Sequence, residues 1–338
     1  MKNHSKVRKI GNLALQILII AGTYGFIYKQ VFLKGDFPKI INTLKEDFSQ
    51  TGFASGLVVV LLLMLVNWGL ESSKWKFLIS KVERVSFLKS VQAVLAGICI
   101  SSFTPNRVGE FFGRVFMLRM RSRIEGILIT IIGSMGQLLI TVLAGSIAWL
   151  IFIPQYFPAS PFASGYFYYA QISLVFVLDL LLLMLFFNVS FLTSLKERIL
   201  KNGLKKLRRF FRVFTFYHNK EIATVLLFSF LRYLVFSTQF YLLLRLFSVP
   251  VDFFDAQILI AIIYFIMAVI PTIALTELGI RGSVSIYIFG LYVAHTNIVS
   301  NNYDLGVLAA TTLLWVINLG IPAVLGSVFI FRLQFFRK

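Results

Sequence analysis

Residues 102–123 read "SFTPNRVGEFFGRVFMLRMRSR" and lie between two long apolar segments. At membrane depth the stretch would carry Pro105, Arg107, Glu110 and Arg114. A charged residue at the centre of a membrane helix costs about 2.5–3.5 kcal/mol, whereas each Leu, Ile, Val or Phe contributes only about 0.3–0.6 kcal/mol. A half-length helix cannot absorb three such charges. They must therefore pair with one another, or face water or an anionic ligand.

The composition indicates an all-α polytopic membrane protein. The chain has 338 residues, of which 58% are hydrophobic and only 14% are charged. So few charges cannot cover the surface of a soluble globule of this size. Apolar runs of about 20 residues recur at least six times, and each is long enough to cross a bilayer as a helix. The alternating pattern of a β-barrel is absent.

Several classes of site are not indicated by the sequence. The net charge of +19 would point to nucleic acid in a soluble chain, but here the charges lie between apolar runs, so we expect no nucleic-acid partner. Cys99 is the single cysteine, and His4, His218 and His295 are scattered. We therefore expect no metal, no cofactor and no catalytic constellation. A Gly-rich phosphate loop for ATP is also missing.

The distribution of basic residues predicts the topology. With the basic N-terminus in the cytoplasm, the positive-inside rule predicts six full transmembrane helices. These cover about residues 11–33, 53–70, 125–153, 166–189, 221–248 and 306–331. The first apolar run is longer than the core of a cleaved signal peptide, so we expect it to be retained. The prediction is a multi-pass membrane protein with both termini in the cytoplasm.

The two remaining apolar segments are interrupted. Residues 90–103 lead into "TPNRVG", and a full crossing there would place the basic cluster 119–123 outside. A re-entrant hairpin returning to the cytoplasm avoids this. The second segment runs from about Ala256 to Ile270, is broken by "PTIALTELGIRGS", and continues to about Tyr292. Its flanking loops predict a hairpin that enters from the opposite face.

The two breaks share a short pattern. Each has a proline, a glutamate and an arginine four residues later with glycine between, as in Glu110 with Arg114 and Glu277 with Arg281. On a helix this spacing places both side chains on one face. The pattern predicts an inverted repeat within a single transmembrane domain, residues 1–338; chance similarity is the alternative. Repeat 1 covers about 52–153 and repeat 2 about 221–331, joined by span 166–189 and the basic segment 194–220, with 11–33 as an extra span.

The segment 194–220 has its own pattern. Apolar residues recur every three to five positions between its many basic residues. This is typical of an interfacial amphipathic helix. A solvated cluster of topogenic charges is the alternative.

Charged and glycine residues near the breaks form the candidate site. Arm N-termini near Gly109 and Gly279, with a positive dipole end, would bind a phosphate together with three arginines, which are Arg107, Arg114 and Arg281. The alternative is that the Glu–Arg pairs only lock the hairpins.

Other polar residues lie within the predicted spans. Asp179 and Arg232 lie at one predicted depth, so we expect a salt bridge between them, either structural or linked to transport. Glu110, Glu277 and Asp179 are the candidate coupling residues. Asn318 would either line a polar cavity or bond a neighbouring helix.

These motifs resemble the transmembrane region of the lysylphosphatidylglycerol synthase family, the flippase-like domain. The resemblance rests on Pro105, Gly109, Glu110 and Arg114 and extends over nearly the whole chain. In the second motif many members have a Gly-Gly pair and a glutamate after the arginine, where this chain has Thr276, Glu277 and Gly282. The chain ends shortly after the last span, so we expect a stand-alone member without the synthase domain.

The resemblance implies translocation of a phospholipid or lipid-linked headgroup, not aminoacylation. We therefore expect a transporter of the bacterial inner membrane and not an enzyme. One alternative is an integral membrane enzyme acting on a lipid phosphate or polyprenyl carrier. Another is an accessory protein that recruits a synthase or glycosyltransferase through segment 194–220. The lipid, the direction of movement, the energy coupling and the oligomeric state are not encoded in any motif.

Overall fold

The computed structural model describes most of the chain. The described residues are 2–32, 52–104, 107–118, 123–188, 216–270, 274–296 and 303–333. Every regular element within these ranges is a helix, which confirms the predicted all-α class. The predicted amphipathic segment 194–220 lies outside the described residues up to position 215.

The described residues contain eleven α-helices. In chain order they are α1 Lys2–Phe32, α2 Phe53–Ile79, α3 Phe87–Ser101, α4 Gly109–Phe116, α5 Arg123–Tyr156, α6 Gly165–Phe187, α7 Asn219–Leu246, α8 Phe253–Val269, α9 Ala274–Thr296, α10 Tyr303–Trp315 and α11 Ile321–Ile330. A π-helical turn, Val316–Gly320, joins α10 to α11, and the three together form the last span.

Five helices are long and apolar enough to cross a membrane: α2, α5, α6, α7 and the last span. They coincide with five of the six predicted spans. The sixth prediction falls on α1, which is helical over 31 residues, but the apolar part of its described residues, Ile10–Gly25, is shorter. A crossing by α1 therefore stays a prediction.

The helix α2 is longer than the sequence predicted. We expected the span to end near Leu70, but α2 continues to Ile79. Glu71 and Lys74 consequently lie on the helix and are buried instead of forming part of a basic loop. Their opposite charges contact each other one turn apart, so the helix can carry both into the interior.

The first broken segment consists of α3 and α4. The eight residues of α4 span about 12 Å, which is far less than a hydrocarbon core of about 30 Å. The Gly109 N–H at the start of α4 donates to Thr104 Oγ1 at 2.9 Å. A Cβ on Gly113 would lie 2.5 Å from Gly97 Cα. Glycine at both positions thus lets α3 and α4 cross in backbone contact.

The second broken segment consists of α8 and α9. It is interrupted after Val269, and α9 begins at Ala274. Residues 271–273, which contain the proline of the predicted break, lie outside the described residues. With 23 residues, α9 is much longer than α4. Both segments are therefore interrupted between two helices, but the second helix is short in the first segment and long in the second.

Helices of predicted repeat 1 pack closely against helices of predicted repeat 2. The first arm α3 packs on α11, where a Cβ on Gly326 would lie 2.1 Å from the Leu95 carbonyl oxygen. The first arm α8 packs on α5, where a Cβ on Gly145 would lie 2.3 Å from Phe265 Cβ. The first helix of each broken segment thus contacts the last span of the other predicted repeat. The helix α2 of repeat 1 packs against α7 of repeat 2.

Two helices are peripheral. The helix α1 packs on α3 and α11, where Thr23 Oγ1 donates to the Cys99 carbonyl oxygen at 3.0 Å. The helix α6 contacts α5 and α7, and only 6% of its most apolar 18-residue stretch is buried inside the protein. A helix that is apolar all round and so little covered suits a lipid-facing position.

Candidate functional site

The carboxylate of Glu71 on α2 collects three cationic side chains in the interior. Arg114 Nη1 lies 2.8 Å from Glu71 Oε1. Lys74 Nζ and Arg232 Nη1 lie 2.8 and 2.9 Å from Glu71 Oε2. The side chains of Lys74 and Arg114 are each only 2% exposed. Residues of α2, α4 and α7 are therefore held together by one buried carboxylate.

Arg114 has a second acidic partner. Its Nη2 atom also contacts Glu110 one turn earlier on α4, the contact that the spacing predicted. We call Glu71, Lys74, Glu110, Arg114 and Arg232 the Glu71 cluster. It contains three cations and two carboxylates, so it has a formal surplus of one positive charge.

A polar chain extends this cluster to the last span. Arg232 Nε donates to Asn67 Oδ1 at 2.9 Å, and Asn67 Nδ2 donates to Asn318 Oδ1 at 2.9 Å. Asn318 lies in the π-helical turn, a deviation that often marks functional sites. The Arg232 guanidinium also lies 5.0 Å from the centre of the Trp68 ring. Asn318 thus makes the interhelical hydrogen bond that was one of its two predicted roles.

A second cluster joins the two broken segments. Arg107 Nη2 and Arg281 Nη2 lie 2.7 and 2.6 Å from the same oxygen, Glu277 Oε1. Arg107 precedes α4, whereas Glu277 and Arg281 lie on α9. We call these three residues the Glu277 cluster. Its two cations and one carboxylate again leave one surplus positive charge.

Arg107 differs from the other arginines in backbone and exposure. Its φ of 55° lies in the left-handed region, which is costly for a residue with a side chain. Its side chain is 42% exposed, compared with 11% for Arg281. The ion pair to Glu277 helps to hold this unusual conformation.

Each of the two motif arginines, Arg114 and Arg281, has one N–H donor without a partner among the described residues. Within the described residues, Arg114 Nε and Arg281 Nε are buried and have no hydrogen-bond partner. An unsatisfied buried donor costs about 1–3 kcal/mol. Each cluster therefore combines a surplus positive charge with an N–H group that can bind an anionic oxygen.

A family model described as the lysylphosphatidylglycerol synthase TM region matches residues 13–326. The chain belongs to this family. No curated protein and no solved structure matches the chain. Together with the apolar helices, membership in a transmembrane family establishes a multi-pass membrane protein.

The three arginines predicted to bind a phosphate lie in two separate clusters. We expected Arg107, Arg114 and Arg281 to converge on one phosphate. The structure brings Arg107 and Arg281 together at Glu277, whereas Arg114 pairs with Glu71 and Glu110. Both motif arginines are nevertheless well covered by protein and do not lie on a lipid-facing exterior.

Neither Gly109 nor Gly279, the glycines near which we predicted phosphate-binding helix N-termini, presents an unbonded N–H group at the start of a helix. Gly109 does begin α4, but its N–H is already bonded to Thr104. Gly279 lies in the second turn of α9, which begins five residues earlier. Glu110 and Glu277 occupy the first turns of these helices, where the helix dipole favours an acidic side chain.

The predicted salt bridge between Asp179 and Arg232 is also wrong. Arg232 pairs with Glu71, and Asp179 Oδ2 instead accepts from Ser146 Oγ at 2.7 Å. Similar depth in the bilayer does not determine which helices are neighbours. The helix α6 is peripheral, while α2 lies directly against α7.

The sequence interpretation missed Glu71, Lys74 and Asn67. A usable signal exists, because Asn67, Glu71 and Lys74 follow a spacing of four and three residues and share one helix face. Placing the end of the span at Leu70 hid this polar stripe. Within the described ranges, no group of three or more His, Cys, Asp or Glu residues could hold a metal ion.

Proposed function

We propose that this protein moves a phospholipid or lipid-linked phosphate headgroup between the leaflets of the bacterial inner membrane. The observation that carries the proposal is common to both clusters: one surplus positive charge beside a buried arginine Nε–H that has no partner among the described residues. A phosphodiester carries one negative charge and oxygens that accept such bonds. Arginine suits this role because its planar guanidinium binds phosphate oxygens in pairs.

Two re-entrant hairpins in an inverted repeat form the architecture of this proposal. The short α4, the break after Val269 and the reciprocal packing of α3 and α8 on the opposite halves support it. Each hairpin tip would bring its charges to the middle of the bilayer, where a headgroup must be shielded from hydrocarbon. The acyl chains would stay in the lipid throughout.

Glu277 acts as the internal counter-ion in the absence of a headgroup. It keeps Arg107 and Arg281 in place, and an arriving phosphate shares or replaces these bonds. The exposed Arg107 makes first contact with the headgroup, since it is the accessible cation of the two. The Glu71 cluster offers a second, deeper position on the same path.

The test is leaflet exchange in proteoliposomes. Purified protein is reconstituted with nitrobenzoxadiazole-labelled phosphatidylglycerol, and dithionite bleaching reports how much label changes leaflet. We expect exchange above that of protein-free vesicles, with the lipid chemically unchanged. Arg281→Gln should slow exchange by at least about tenfold, because one charge-assisted hydrogen bond is lost.

The matched control is Arg245→Gln, which removes an exposed arginine near the end of α7. This variant should exchange lipid like the wild type. Equal rates for Arg281→Gln and wild type would contradict the phosphate-binding role. Recovery of a chemically modified lipid would instead indicate an enzyme.

A further inference from the structure

We propose a separate binding site for the phosphate headgroup of an anionic phospholipid at the junction of α2 and α3. A cavity of about 500 Å³ lies there. Its lining residues are Ser73, Lys76, Phe77, Ser80, Arg84, Val85 and Phe87. None of them belongs to the Glu71 or Glu277 cluster, and the site does not depend on the proposed translocation.

The basic side chains that line the cavity favour an anionic ligand. The segment from residue 74 to 89 contains five basic residues. Three of them are paired: Lys74 with Glu71, Lys81 with Glu221, and Lys89 with Glu83. The other two, Lys76 and Arg84, have no acidic partner in the described part of the chain, and both line the cavity. None of the described residues that line it is acidic.

The apolar wall of the cavity favours a lipid over a free phosphate. Phe77, Val85 and Phe87 form this wall. Phe87 is 47% exposed, and the neighbouring Leu88 is 66% exposed. Acyl chains can pack on these side chains while Lys76 and Arg84 bind the phosphate. A soluble anion would gain nothing from the aromatic surface.

The position of the cavity fits an anionic leaflet. It lies at the end of a membrane-spanning helix, and the basic loop beside it is cytoplasmic on the charge-based topology. Basic pockets between membrane helices at that face are suited to acidic headgroups. The lipid bound here is held at the end of α2, away from the ion-pair clusters.

Native mass spectrometry of the full chain tests the site. Protein in neutral detergent is titrated with dioleoyl phosphatidylglycerol, and bound lipids are counted. The double variant Lys76→Gln/Arg84→Gln should weaken binding of one lipid by about thirtyfold. Both side chains are exposed, so the fold should be retained, as checked by circular dichroism.

The matched control is Lys220→Gln/Arg245→Gln, which removes one lysine and one arginine at exposed positions on α7. It should bind every lipid that the wild type binds. Wild-type affinity in the Lys76/Arg84 variant, or an equal loss in the control, would overturn the site. Inorganic phosphate at the lipid concentration should displace no lipid; displacement would identify a soluble phosphate as the occupant and overturn the lipid assignment.

Discussion

The two ion-pair clusters carry the same surplus charge and their central carboxylates are similarly buried, but their cations differ in exposure to water. In the Glu71 cluster the central carboxylate is 5% exposed, and Lys74 and Arg114 are 2% exposed. In the Glu277 cluster Arg107 is 42% exposed. A buried charge that loses its partner costs about 3–5 kcal/mol, whereas an exposed pair contributes only about 0–1 kcal/mol. The Glu71 cluster is thus suited to holding helices together, and the Glu277 cluster to exchanging partners.

The largest difference between the clusters should appear when each central carboxylate is neutralised. Glu71→Gln leaves three cations, of which Lys74 and Arg114 are buried, with one remaining carboxylate, so we expect a loss of about 3–5 kcal/mol in the free energy of unfolding. Glu277→Gln should cost clearly less, because Arg107 can turn to water. Unfolding by SDS titration in micelles measures both. Equal losses would remove the distinction between the clusters.

The helix α4, which carries Arg114, lies directly on α3. Gly113→Ala would place a Cβ 2.5 Å from Gly97 Cα and force the two helices apart. We expect a destabilisation of about 1–3 kcal/mol, as for other overpacked sites. Gly69→Ala on α2 is the matched control, since no described atom lies within 4 Å of the place that its Cβ would take. If both substitutions have the same effect, the close contact is not required.

Substitution of Arg107 should reduce lipid transport strongly while changing the stability of the fold only slightly. Arg107→Gln removes a partly exposed ion pair, so the free energy of unfolding should change by less than about 1 kcal/mol. The same variant should lose most leaflet exchange of labelled phosphatidylglycerol. Parallel unfolding and vesicle measurements on one preparation make the comparison. Full exchange in this variant would show that Arg107 is not the first contact of the headgroup.

Asp179 should have the smallest effect, because it lies outside both clusters. Asp179→Asn retains an oxygen that can accept from Ser146. We therefore expect a change in unfolding free energy within about 0.5 kcal/mol. A loss of several kcal/mol would indicate that Asp179 balances a buried charge after all.

Much of the fold could be predicted from local features of the sequence. Apolar length predicted five spans, and the proline and glycine residues near positions 105–113 marked the first break. The i, i+4 spacing predicted the contacts of Arg114 with Glu110 and of Arg281 with Glu277. These features depend on residues that are close in the chain.

Helix neighbours could not be predicted in the same way. The pairing of Arg232 with Glu71 depends on α2 lying beside α7, which bilayer depth does not determine. The end of α2 was misplaced because Glu71 and Lys74 look like the start of a loop when each charge is counted alone. Their mutual contact, together with the contacts of Glu71 with Arg114 and Arg232, makes them compatible with the interior.

Lipid retention tests most directly whether Glu277 holds the place of a lipid phosphate. Phosphorus analysis of protein purified in neutral detergent measures the phospholipid that remains bound to each variant. Glu277→Gln frees Arg107 and Arg281, so it should retain more anionic phospholipid than the wild type. Arg281→Gln should retain less. A shift of both variants in the same direction, or no shift in either, would contradict a phosphate site at the Glu277 cluster.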